Sequence, residues 1–218
     1  FVLGPCINAS GRLDTAARSL ALLNAKTKEE AARLAGDLTA LNQSRKALTE
    51  KGKEEAIRII ETTELKNDRV LVVYLPDCHE SLAGIIAGRI REKYHRPAFV
   101  LTGGETSAKG SGRSIESYSM YEELVKCADL MIQFGGHPMA AGLSIEEKNI
   151  EEFRRRLNVN CTLTDEELRP KIVIDVPMPV SYITKELVEQ ISLLEPFGKG
   201  NTKPVFAQKN LRAVSYTH

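Results

Sequence analysis

The sequence predicts an α/β fold, chiefly because of the pattern between residues 69 and 102. Residues 69–75 (RVLVVYL) are β-branched and almost continuously apolar, which is typical of a strand buried on both faces of a sheet. Residues 81–94 repeat apolar side chains at helical spacing, and residues 98–102 (AFVLT) form a second apolar run. A strand, a helix and a strand in this order predict a right-handed βαβ unit with two parallel strands.

A long helix is predicted before this unit. Thr27 and Glu30 have the spacing of a capping box, in which each side chain accepts a hydrogen bond from a free backbone N–H. Leucines at four positions of the following stretch share one helical face, and no proline interrupts it: Leu34, Leu38, Leu41 and Leu48. A helix over residues 27–62 would be about 50 Å long. We therefore expect it to connect two bodies.

Weaker patterns predict the remaining elements. Between residues 109 and 157 we expect strands at 109–115 and 140–145 and helices at 121–128 and 149–157, while residues 130–134 lead into the glycine pair at 135–136. After Asn158 the sequence becomes polar and is typical of a linker. Beyond it we expect a strand at 172–176, a helix at 184–194 capped by Thr184, a glycine-rich loop at 195–201 and a hairpin at 205–216.

Composition excludes several classes of protein. The 218 residues include 42% apolar and 27% charged side chains, which excludes a disordered chain or a fibrous rod. No apolar run approaches 18 residues, so no transmembrane helix is predicted. Four widely spaced cysteines without a C-x-x-C pair predict free thiols in a reducing cytoplasm. The net charge of +1 excludes binding to nucleic acid by overall charge alone, but not by local clusters.

Three glycine-rich segments carry polar side chains that suit an anion. The first, INASGR, offers the Asn8 amide and the Arg12 guanidinium beside Gly11, which lets a backbone approach closely. We expect it to be a polar loop that follows the end of a strand. The same composition also fits a plain loop in which Asn8 caps a turn.

The second segment, GSGRS at residues 110–114, flanks Ser111 and Arg113 with backbone that glycine leaves accessible. Such a concavity of N–H donors binds phosphate, although an ordinary turn fits equally well. In the third segment Gly135 and Gly136 precede His137, and we expect an exposed tight turn. An imidazole there can donate to a phosphate or act as an acid or base near neutral pH.

Other candidate residues predict little chemistry. Cys78 and His79 are adjacent and have no visible third partner, so a nucleophile or metal site is not favoured. The carboxylates are scattered, and the sequence shows no cluster of Asp and His that would hold two metal ions.

In order along the chain, these segments resemble the bacterial RecJ family of the DHH phosphoesterase superfamily. The resemblance rests on GPCINASGRLDTA, CHESLAGIIAGRIREKYHRPAFVLT, GSGRS, FGGHPMAAGLSI and EPFGKGNTKPVF. It implies a mixed sheet with flanking helices, the DHH-associated domain, between the long helix and the start of an oligonucleotide-binding barrel. It also implies a 5′-to-3′ exonuclease that hydrolyses single-stranded DNA in recombination and repair.

The resemblance further implies a piece of a longer protein, whose metal-binding DHH domain holds Mn or Mg through ligands outside this chain. A chain of these residues alone is then expected to be inactive and to bind no metal. The implied domain limits are a catalytic-domain tail at 1–26, the long helix at 27–62, the DHH-associated domain at 63–158, a linker strand and helix at 159–195, and the barrel start at 196–218.

By resemblance, Asn8 and Arg12 reach the scissile or adjacent phosphate, while Ser111 and Arg113 hold the DNA backbone or its 5′ end. Gly135 and Gly136 form the turn that presents His137, the expected catalytic donor to the phosphate. The implied partners are single-stranded DNA, a single-strand-binding protein and a repair helicase, and no membrane. Two alternatives remain: a DHH-family phosphoesterase acting on nano-RNA or small nucleotide phosphates, and a non-catalytic nucleic-acid-binding module.

Overall fold

The computed structural model describes residues 3–211 and divides the chain into two compact units, residues 1–169 and 170–218. The first unit begins with three helices, α1 (Leu3–Leu13), α2 (Ala17–Leu23) and α3 (Lys28–Thr62). The predicted long helix is confirmed. At its start the Thr27 hydroxyl accepts from the Glu30 N–H at 3.2 Å, and Glu30 accepts from the N–H of Lys26 at 3.1 Å.

The prediction of a strand end followed by a loop at the start of the chain is wrong within the described residues, since residues 3–13 are helical. Pro5 lies in the first turn, where a missing N–H costs the helix nothing. Ser10 is fully buried, and its hydroxyl lies 2.7 Å from that of Ser19 on α2. Tertiary packing therefore stabilises a helix that its polar and glycine residues do not favour alone.

The predicted βαβ unit is present as β1 (Leu71–Leu75), α4 (Glu80–Tyr94) and β2 (Ala98–Thr102), with the two strands parallel. Three further strands extend the sheet: β3 (Ala108–Arg113), β4 (Met131–His137) and β5 (Ala140–Ile145). They pair antiparallel, and the order is β1-β2-β3-β5-β4. The fold is therefore α/β with a mixed five-stranded sheet.

The sheet separates two apolar cores because alternate side chains of each strand point to opposite faces. On one face Leu71, Val73 and Val100 pack with the buried side of α4 and with Ala56 and Ile60 of α3. The other core lies under α5 (Met120–Val125) and α6 (Ile150–Val159). Here Phe99 meets Phe153 edge to face, with ring centroids 5.4 Å apart. Since α4 packs on β2 and β3, β5 and β4 extend beyond it.

The second unit has little regular structure in residues 170–211. A two-residue strand, β6 (Val176–Pro177), pairs in parallel with β7 (Phe206–Ala207), and α7 (Lys185–Ser192) lies between them in sequence. Thr184 caps α7 as predicted, accepting from the Leu187 N–H at 3.2 Å. The predicted strand at 172–176 is reduced to its last residue. The described part of the predicted hairpin pairs with β6 instead, and residues 212–216 lie outside the described residues.

Candidate functional site

The sheet register brings polar side chains together on the face that α4 leaves open. Gly112 and Gly110 of β3 point into the opposite core, towards Phe99 and Leu101, so the alternate residues of β3 point to the open face. Paired residues on neighbouring strands share a face, which gives three rows across β3, β5 and β4. The rows are Arg113, Ala140 and His137; Ser111, Gly142 and Gly135; and Lys109, Ser144 and Gln133.

Glycines form the floor of this open face. A β-carbon at Gly135 would meet nothing within 4 Å, and one at Gly142 would meet only the Gly110 carbonyl at 3.8 Å. The resulting cleft of about 480 Å³ is bounded by these strands and by the first turn of α4, including Ser81. Backbone and small polar groups are therefore accessible there to a ligand. The charged side chains of Arg113 and Lys109 stand at the β3 ends of the first and third rows.

The N-terminus of α4 forms one wall of the cleft. His79 caps the helix, because its Nδ1 accepts from the Ser81 N–H at 3.3 Å. Burial raises the pKa of the neighbouring Cys78 thiol, which disfavours the reactive thiolate. His79 therefore has a structural role as a helix cap, and the environment of Cys78 does not favour a nucleophile. Arg12 of α1 reaches the same turn and donates from Nη1 to the Ser81 carbonyl at 2.7 Å.

Three arginines converge beside this wall. The pKa of Arg113 is lowered by burial first and then by the positive charges of Arg12 and Arg91. Arg113 donates from Nη1 to its neighbour's carbonyl, Gly112 O, at 2.7 Å. The buried Nε of Arg91 has no hydrogen-bond partner among the described residues. Another nitrogen of Arg91, Nη2, lies 3.8 Å from a Glu92 carboxylate oxygen. Arg12 and Arg113 both contact the first turns of α4, at Ser81 and Gly84, and an anion beside them would offset the repulsion between their charges, which favours a phosphate there.

The structure brings most of the predicted site residues to one place. Ser111, Arg113, Gly135 and His137 share the open face, and Arg12 adjoins it through Ser81. Asn8 is exposed on α1, one turn before Arg12. Gly136 lies between Gly135 and His137 on β4, and a β-carbon there would lie against the Ala140 carbonyl and Ala141.

Two of the three glycine-rich segments have regular structure where a loop or turn is predicted, and the segment at 110–114 lies largely in the strand predicted at 109–115. INASGR lies within α1, GSGR ends β3, and GGH ends β4, where the turn to β5 consists of Pro138 and Met139. In β3 the glycines at 110 and 112 are required by close packing, since a β-carbon at 112 would lie 2.6 Å from the Phe99 ring. The glycines thus serve close approach within a sheet and not loop flexibility.

Sequence reasoning missed Lys109, Gln133 and Ser144, which complete the polar face, and Arg91, which completes the arginine cluster. Alternation along β3 would have found Lys109, because it is two residues before Ser111. No local pattern marks Gln133 or Ser144, whose position depends on how β4 and β5 pair, with a bulge between Met131 and Gln133. Lys109 forms an ion pair with Glu80 of α4 at 2.6 Å.

Metal-ligating residues are not grouped in residues 3–211, where no set of three or more His, Cys, Asp or Glu side chains could hold an ion. The same part of the chain contains no helix that is both long and apolar enough to cross a bilayer. The Lys109 ammonium and the Ser111 hydroxyl, which line the cleft, are donors suited to a phosphate or its ester.

Comparison with known proteins places the sheet in a defined class of domain. Residues 67–161, which contain the whole sheet, match the DHHA1 domain, and residues 174–218 match the RecJ OB domain. The fold of the sheet-containing part is thus that of a DHHA1 domain, and it is followed in sequence by an OB segment.

Curated relatives narrow the class further. The chain is 37% identical to the single-stranded-DNA-specific exonuclease RecJ of Salmonella typhimurium and 36% identical to that of Bacillus subtilis, over 94% of its own length in both cases. It spans 37% and 26% of those proteins, respectively. The crystal structure of RecJ from Thermus thermophilus with Mg²⁺ has a TM-score of 0.77 at 30% identity and covers 93% of this chain, which spans 31% of it. The chain belongs to the RecJ family.

Proposed function

We propose that this chain is the substrate-gripping part of a 5′-to-3′ single-stranded-DNA exonuclease that acts in recombination and repair. The observation that carries the proposal is the cluster of Arg12, Arg91 and Arg113 beside the polar open face of the sheet. The two relatives support the choice of single-stranded DNA as the substrate, since each is a single-stranded-DNA-specific exonuclease.

The cleft suits a DNA backbone for physical reasons. A phosphodiester carries one negative charge, and guanidinium groups bind its oxygens through charge-assisted hydrogen bonds. The small residues of the second row, Gly135 and Gly142, leave room for a sugar to approach the sheet. In the proposal Ser111 and Arg113 bind the backbone or 5′ end, while Asn8 and Arg12 bind a phosphate from the α1 side. In the same proposal Gly135 and Gly136 let β4 pair closely with β5, which places His137 beside Ala140 in the row that also contains Arg113.

Hydrolysis is assigned to the longer protein. RecJ structures have been solved with Mg²⁺ and with Mn²⁺, and we propose that such ions activate water through ligands of a DHH domain outside this chain. Residues 3–211 contain no group of three or more side chains that could hold such an ion. The proposal includes cytoplasmic location and contact with a single-strand-binding protein and a repair helicase.

Arg113→Ala tests the grip. We expect the free energy of binding to fluorescein-labelled single-stranded DNA to become less favourable by about 1–3 kcal/mol, because a charge-assisted contact is lost. The salt dependence of log K should also become shallower, by about one unit of slope. Fluorescence anisotropy at two salt concentrations measures both quantities.

Arg155→Ala is the matched control, since it removes the same charge from α6, on the opposite face of the sheet. Arg155 is paired with Glu152 there, at 2.7 Å. We expect binding to change little in this variant. Failure of the unaltered chain to bind, or equal binding by the Arg113 variant, would contradict a grip within this chain.

His137→Ala tests the proposed catalytic donor in a full-length protein that includes this chain. We expect turnover to fall by about tenfold or more, because a donor to a reacting phosphate stabilises developing charge. The thermal midpoint should not change appreciably, since the side chain is exposed. Release of mononucleotides under single-turnover conditions is the measurement, and unchanged turnover would exclude the role.

The alternative of a small-nucleotide phosphoesterase is less well supported, because residues 174–218 match the RecJ OB domain. A non-catalytic binding module predicts the same DNA affinity, so turnover by the full-length protein separates that alternative from the exonuclease.

A further inference from the structure

We infer that Gly84 of α4 is a positioning residue, which holds the Arg113 guanidinium in place by having no side chain. The inference rests on the proposed function, because it assigns a second residue to the same phosphate grip. Gly84 does not contact the substrate in this account and acts only through Arg113.

The contact is direct. A β-carbon at Gly84 would lie 2.7 Å from Nη2 of Arg113, 3.4 Å from Cζ and 3.6 Å from Nη1. The guanidinium plane therefore occupies the volume that any other residue at position 84 would fill. Arg113 is also held from its other side by the hydrogen bond to the Gly112 carbonyl at 2.7 Å. Helix and strand together hold a long side chain that otherwise has many rotamers.

The charges around Arg113 show why its position over Gly84 matters. The charges that act on Arg113 are those of Arg12 and Arg91, both positive, and they repel it. No ion pair of Arg113 is present among the described residues, whereas Arg155 and Arg156 each bind a carboxylate. Repulsion alone would turn a flexible arginine outward to solvent. The space over Gly84 lets the guanidinium remain beside its neighbours, ready for an anion.

A second glycine of the same helix provides a matched control. Gly88 lies one turn further along α4, and a β-carbon there would meet nothing within 4 Å. Alanine favours a helix over glycine at both positions. Gly84→Ala and Gly88→Ala therefore share the effect on helix stability and differ in the effect on Arg113.

The experiment uses the 218-residue chain and two readouts. First, the side-chain Nε–H resonance of Arg113, assigned by its absence in Arg113→Ala, should shift in Gly84→Ala and stay unchanged in Gly88→Ala. Second, Gly84→Ala should weaken binding of labelled single-stranded DNA about tenfold, as expected when a charge-assisted contact is lost. Gly88→Ala should bind as the unaltered chain does.

The double variant separates positioning from general damage. Added to Arg113→Ala, the Gly84 substitution should cause no further loss of affinity, because both changes remove one interaction. Additive losses, or an unshifted Arg113 resonance in Gly84→Ala, would overturn the inference. If Arg113→Ala binds DNA normally while the resonance shifts as expected, the proposed function fails and the positioning role stands. The resonance readout decides the inference even if the chain does not bind DNA.

Discussion

Gly136→Ala is expected to destabilise the unit that contains the sheet by about 3 kcal/mol, from backbone strain and overpacking together. Gly136 has a φ of 154°, a conformation that residues with a side chain rarely adopt. An added β-carbon would lie 2.4 Å from the Ala140 carbonyl oxygen and 2.6 Å from the Ala141 α-carbon. Both are backbone atoms of β5, so the strands must separate to admit a methyl group.

Urea unfolding followed by circular dichroism measures this effect, and Gly135→Ala is its control. Gly135 lies on the same strand, and a β-carbon there meets nothing within 4 Å. We expect its midpoint to equal or slightly exceed that of the unaltered chain. Equal midpoints for the two alanine variants would show that β4 and β5 do not approach as closely as described.

The Gly136 variant also connects stability with the site. Residues 135 and 137 belong to the open face, and they keep their register with Gly142 and Ala140 only if β4 stays close to β5. A strand that moves out at residue 136 would displace His137 from the row that contains Arg113. We therefore expect this variant to lose DNA affinity even under conditions where it remains folded.

Phe153→Ala is expected to lower the free energy of unfolding by about 3–5 kcal/mol, as large-to-small changes of buried aromatic residues do. Phe153 of α6 is fully buried in the core between the sheet and the helices α5 and α6. Its ring meets Phe99 of β2 at an interplanar angle of 75°. The substitution therefore removes an aromatic pair as well as buried area, and it leaves a cavity between helix and sheet.

Thermal and chemical unfolding of Phe153→Ala and Arg155→Ala form the comparison. Arg155 lies two residues away on α6, and its pair with Glu152 is exposed to solvent, so its removal should change the free energy of unfolding little. A loss for Phe153→Ala no larger than that for Arg155→Ala would contradict the assignment of Phe153 to the core. DNA binding by folded Phe153→Ala should be retained, because the site lies on the other face.

Much of the fold could be predicted from local patterns. The strands at 98–102 and 140–145 have the predicted limits, and the long helix differs by one residue at its start. The long helix and the strand at 98–102 have strong signals, namely a cap followed by a repeating apolar face and a run of apolar residues, while the strand at 140–145 has a weaker pattern. Such signals arise from neighbours in sequence, so they survive without knowledge of the rest of the fold.

The candidate site was only partly predictable. Ser111, Arg113 and His137 stood out because polar side chains beside glycine suggest close approach to a ligand. The exposed turn predicted at His137 is wrong, whereas Ser111 and Arg113 lie on the strand predicted at 109–115, although a turn fitted their segment equally well. Glycine in a loop and glycine in a tightly packed strand have the same sequence pattern. Arg91 carried no signal at all, because its role depends on the side chain of a residue more than twenty positions away.

By itself the sequence determined the βαβ unit and the long helix before it, and that the chain carries the motifs of the RecJ family. The tertiary structure decided which polar residues share one face. Register between β3, β5 and β4 is set by strand pairing and by packing against Phe99 and Leu143, across contacts distant in sequence. A shift of one residue would turn Arg113 into the core, so the site exists only when the whole sheet is formed.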